Sequence, residues 1–107
     1  MSIDDFFNYS NMYDVSYKIM DSKGCINFNA RKIWINPQFN EDAITYVHEL
    51  YHHHFDREVG EYAPEETIEL LAEMFYAKNP LLCQKVVKGK IQESHSQIEM
   101  DLDGGYD

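Results

Sequence analysis

Positive charge is the scarcest commodity in this chain. Nine lysines and arginines stand against 19 aspartates and glutamates, for a formal net charge of −10. That balance argues against nucleic acid as a direct partner, because phosphate contacts need a basic patch, and it favours neutral or basic peptides as ligands. Cysteine is nearly absent as well. Cys25 and Cys83 are the two in the chain, too far apart in sequence to indicate a disulfide framework and without the spacing of a cysteine–zinc site. No apolar run approaches the about 20 residues of a membrane helix, and Met1-Ser2-Ile3-Asp4-Asp5 lacks the basic and apolar regions of a signal peptide. With 5 glycines and 3 prolines there is no low-complexity linker, and no internal repeat is visible. These absences predict one soluble, cytoplasmic domain spanning 1–107 with no membrane partner. A hydrophobic content of 44% is enough for a single core at this length.

The chemistry is concentrated in His48-Glu49-Leu50-Tyr51-His52. Residues four apart share a helix face, so His48 and His52 can grip one Zn²⁺ ion from adjacent turns. Glu49, one step round, lies where a general base belongs. A helix is predicted from Asn40 to Phe55, with Asn40 as N-cap, Glu41 and Asp42 at the positive end of the dipole, and Ile44, Val47, Leu50 and Tyr51 forming the apolar stripe. His53 and His54 extend the histidine run without a metal role.

A catalytic zinc takes three protein ligands and leaves one position open, so a further ligand is required. A second helix is predicted from Ala63 to Ala77, opened by Pro64 and closed before Pro80. Glu66, Glu69 and Glu73 compete on it. Ile68, Leu71, Ala72 and Phe75 mark its buried stripe, and Glu69 borders that stripe with Glu73 one turn later. This places Glu69 on the metal and Glu73 as acceptor for a ligand imidazole. A solvated surface charge is the ordinary condition of such glutamates, and only the upstream motif lifts these above it.

Together, His48-Glu49-x-x-His52 and Glu69-x-x-Ala72-Glu73 resemble the gluzincin metallopeptidases, whose third zinc ligand is a glutamate on a downstream helix. Ile33-Trp34-Ile35-Asn36 followed by Thr45-Tyr46-Val47-His48-Glu49-Leu50 is similar to the ImmA/IrrE-type peptidases and to the catalytic domains of HtpX-type and CAAX prenyl peptidases. In size the chain is similar to the soluble archaeal minigluzincins. The resemblance covers roughly residues 15 to 80. It implies a zinc peptidase of minimal zincin fold, in which a sheet strand at the cleft rim pairs with an extended substrate; Lys32 to Asn36 is the strand it points to. Some relatives use a downstream histidine to stabilise the oxyanion, and His95 is the candidate. Three departures stand out. Tyr51 replaces a common Gly, Glu73 a common Asp or Asn, and Phe55 the Gly of the metzincin motif, which excludes that subfamily.

The predicted fold class is α+β. Ser2 to Phe7 reads as a short capped helix with Ile3, Phe6 and Phe7 packing, and strands around Val15–Ile19, Cys25–Phe28 and Lys32–Asn36 as a small sheet, an antiparallel meander or mixed. Leu81, Leu82, Val86 and Val87 indicate a third helix ending near Gly89. From Lys90 the chain turns polar and acidic, predicting a disordered tail over 90–107. The functional expectation is a zinc-dependent endopeptidase acting on a peptide or protein substrate, held latent by a terminal segment in its cleft: the acidic tail, or Asp4 and Asp5. The competing expectations are a zinc-binding regulatory or interaction protein without turnover, and a structural helical protein with accidental motifs.

Overall fold

The computed structural model describes residues 1–93 and 99–100. It is an α+β fold in which one helix is wrapped by everything else. Helix α1 (Ile3–Ser10) opens on a capping box: the Ser2 hydroxyl accepts from the Asp5 N–H at 3.0 Å, and the Ser2 N–H donates to the Asp5 carboxylate at 3.0 Å. Two orphan amides are thereby satisfied at once. Of its expected packing residues, Phe6 is fully buried against Phe75 and Tyr46, whereas Ile3 and Phe7 remain exposed.

Strands β1 (Asp14–Ile19), β2 (Gly24–Asn27) and β3 (Lys32–Ile35) form a mixed sheet in the order β2-β3-β1, and a two-residue strand β4 (Glu99–Met100) pairs with β1. Of the two expected arrangements the sheet is the mixed one, not the simple meander. β3 is antiparallel to β2, with Cys25 opposite Trp34, but parallel to β1, with Val15 opposite Ile33. Burial explains the order. Val15, Ile33 and Ile35 are fully enclosed, while β2 is half-buried at best, so the apolar strand takes the centre and the polar one the edge. The Lys32–Asn36 strand, expected at the cleft rim, is therefore interior, and β2 is an edge of the sheet. The buried Asn36 amide fixes the β1–β2 turn, donating to the Met20 and Ser22 carbonyls at 2.6 and 3.2 Å.

Helix α2 spans Asp42–His53 and continues into a π-helical turn, His54–Val59, closed by Gly60 at φ 75°. Asn40 is not its N-cap. Asn40 instead takes the left-handed position (φ 54°) that closes the 3₁₀ turn Pro37–Phe39, and Glu41 caps α2 without a side-chain bond. Asparagine tolerates that conformation, which frees it from the capping role. Helix α3 runs Glu65–Lys78, with Ile68, Ala72 and Phe75 buried. Helix α4 runs Pro80–Glu93, past the expected stop at Gly89, and seats Cys83 and Val87 in the core. No described helix is long and apolar enough to cross a membrane.

Candidate metal centre

α2 is buried on most of its circumference, and His48 and His52 occupy the strip left open between α3 and the edge strand. Their rings lie 5.1 Å apart, centroid to centroid, as the four-residue spacing requires. The first turn of α3 brings a carboxylate to both: Glu65 Oε1 is 2.5 Å from His48 Nε2, and Glu65 Oε2 is 3.2 Å from His52 Nε2. One ligand atom from each of the three residues falls within 4.8 Å of the others. Two imidazole nitrogens and a carboxylate oxygen turned toward one point are a donor set that suits zinc. Partial burial acts to raise the Glu65 carboxyl, but the imidazoles of His52 and His48 outweigh it and hold the carboxyl below its ordinary range.

Glu49 is in a different condition. It lines the same cleft but is only 6% exposed. Burial, with a smaller contribution from the Glu65 carboxylate, pushes its pKa up to about 8. In the metal-free protein such a carboxyl holds its proton at neutral pH, and a cation on the adjacent histidine pair would lower its proton affinity.

Gly24 makes this placement possible. A Cβ there would collide with Thr45 Cγ2 and lie 3.1 Å from the Trp34 carbonyl and 3.3 Å from Glu49 Oε2. The bare backbone of the edge strand therefore lies directly against α2 at the level of the motif. The available signal was the glycine's position at the start of a strand, where it commonly marks a close backbone approach.

The other sequence-derived residues fall out as follows. Glu69 and Glu73 line the cleft, of about 1120 Å³, further along α3 from Glu65, and neither belongs to the three-residue cluster. Glu66 is exposed and lies outside the cleft lining. His53 and His54 turn to the opposite side of α2, where His53 Nδ1 meets the Tyr13 hydroxyl at 2.6 Å and His54 Nδ1 the Tyr9 hydroxyl at 2.7 Å. Asp4 and Asp5 sit in α1, and no residue before Tyr17 lines the cleft. His95 and the acidic end from Asp101 lie outside the described residues. The chain matches no family model, no curated protein and no solved structure.

Proposed function

We propose that this protein is a zinc-dependent endopeptidase. The observation that carries the reading is the convergence of His48, His52 and an α3 carboxylate in an open cleft, beside a buried Glu49. When bound, zinc supplies Lewis acidity for the scissile carbonyl and acidifies water toward a pKa of about 7. Glu49 takes the proton of the attacking water and delivers it to the leaving amine. The edge strand β2 offers its backbone to an extended peptide, and the cleft carboxylates Glu69 and Glu73 favour neutral or basic side chains there.

The third ligand comes from α3. Glu65 already touches both imidazoles, and Glu69, the ligand implied by the family resemblance, follows one turn later in the same cleft. Zinc titration of single alanine variants separates them: stoichiometric zinc is lost with Glu65→Ala if Glu65 is the ligand and with Glu69→Ala if Glu69 is. Glu66→Ala retains zinc in either case. His48→Ala and His52→Ala both abolish it, and full occupancy in those two variants refutes the site. Turnover is tested on a denatured protein substrate. Glu49→Gln is expected to keep zinc and lose hydrolysis. Zinc binding with no hydrolysis by the full-length chain or by a chain ending at Glu93 leaves the regulatory reading in its place.

A further inference from the structure

Opposite the cleft, on the other side of α2, is a smaller cavity of about 310 Å³, lined in part by Tyr13, Phe28, Arg31, His53, Arg57 and Glu58. Arg31 and Arg57 are the only two arginines in the sequence. In a chain with 19 acidic residues the ordinary fate of an arginine is a surface ion pair. Neither has one among the described residues. They converge instead on one concavity from distant points in the chain.

Both are held without a carboxylate. The Arg57 guanidinium sits over the Phe28 ring, 4.8 Å from its centroid, a stacking arrangement that leaves its N–H edge free. Arg31 is anchored through its backbone, its carbonyl accepting from the Asp14 N–H at 3.0 Å. The polar floor is already satisfied. His53 is 5% exposed; its Nε2 meets the Glu58 carboxylate at 3.0 Å and its Nδ1 the Tyr13 hydroxyl at 2.6 Å. With Nε2–H donating to Glu58, Nδ1 is left to accept from the Tyr13 O–H. Glu58, the one carboxylate in the lining, accepts from His53 and keeps its charge, so two guanidiniums face one carboxylate and the cavity stays net positive. Burial raises the Tyr13 hydroxyl; both guanidiniums act against that, and Glu58 acts with it.

We propose that this cavity binds a phosphate dianion, free or as a small monoester, between Arg31 and Arg57. The two guanidiniums offer paired N–H donors to several oxygens of one anion, whereas a carboxylate would use only one of the forks. The volume is at the lower end for small-molecule sites, which suits phosphate with a modest substituent. The site is independent of the metal-centre reading.

The test is calorimetric titration of the full chain, in the presence of a chelator, with inorganic phosphate and with phenyl phosphate. Saturable one-to-one binding is expected. Arg31→Gln and Arg57→Gln are each expected to weaken it by about tenfold or more, the scale of a charged hydrogen bond. Both arginines are exposed, so without phosphate the melting temperature is expected to stay the same in Arg31→Gln and to fall only slightly in Arg57→Gln, which also loses the Phe28 contact. His48→Ala is expected to leave phosphate binding intact. Tighter binding of phenyl phosphate identifies a monoester site, and equal or weaker binding a site for the free anion. Absence of saturable binding of both compounds at millimolar concentration overturns the proposal. So does undiminished binding in the double arginine variant, or acetate competing as well as phosphate does.

Discussion

Gly24 and Glu49 show how much of the site depends on single residues. Gly24→Ala sets a methyl group into Thr45 Cγ2, and overpacking of this kind costs about 1–3 kcal/mol. Thr45→Ser removes the obstructing methyl, so urea unfolding is expected to show the double variant recovering part of the loss. Equal stability of Gly24→Ala and wild type refutes the close packing. Glu49 makes a prediction about pH for the metal-free protein. Its carboxyl is raised from the ordinary 4.5 to about 8 in the fold, so between those values the folded state holds a proton that the unfolded chain has released. The stabilisation is complete below pH 4.5 and is lost as pH rises towards 8. Burial lowers the His54 pKa, which works in the opposite direction, so the Glu49 contribution is read as a difference. Wild type minus Glu49→Gln, measured with chelator, is expected to fall across that window. A flat difference refutes the buried carboxyl. The histidine pair and Glu49 were legible because four-residue spacing is a local property. Glu65 was not, since its approach to both imidazoles depends on where the π-helical turn sets the start of α3, which sequence periodicity does not encode.

At the scale of elements, each helix was visible from its own apolar spacing, and the errors arose where elements compete for position. The capping box of α1 and the stripe Ile68, Ala72 and Phe75 of α3 follow local rules and appear as expected. The strand order does not follow them. It is settled by which strand buries most, and that is a comparison among strands, so β3 moved from the expected rim to the centre. Asn40 was lost to the preceding 3₁₀ turn for a similar reason, because two adjacent elements wanted the same residue. α1 provides the test at this scale. Phe6 is fully buried between α2 and α3, whereas Phe7 is 43% exposed. Phe6→Ala is expected to cost about 3–5 kcal/mol in denaturant unfolding, and Phe7→Ala no more than about 0.5 kcal/mol. Similar losses in the two variants would mean that α1 docks by its other face.

For the molecule as a whole, the two ends of the chain differ in what they contribute to the fold. The N-terminal segment belongs to the core. Phe6 and Tyr9 are buried, Tyr9 bonds His54 at the end of α2, and Asp5 is committed to its capping box. Deleting residues up to Met12 is therefore expected to unfold the protein, not to activate it. The C-terminal end can be removed with less cost. The core residues of α4, Cys83 and Val87, precede Glu93, so a chain ending there keeps them and, among the described residues, loses the two-residue pairing of Glu99–Met100 with β1. A tethered carboxylate can occupy a metal's open position through effective concentration alone. If residues 94–107 act this way, the shortened chain should bind the same amount of zinc, keep a cooperative melt and hydrolyse a denatured protein faster than full-length chain. Glu49→Gln in the shortened chain is expected to remove the gain, which ties it to the proposed site and not to a contaminant. A shortened chain that is folded, zinc-loaded and no more active than its parent places any restraint outside the tail.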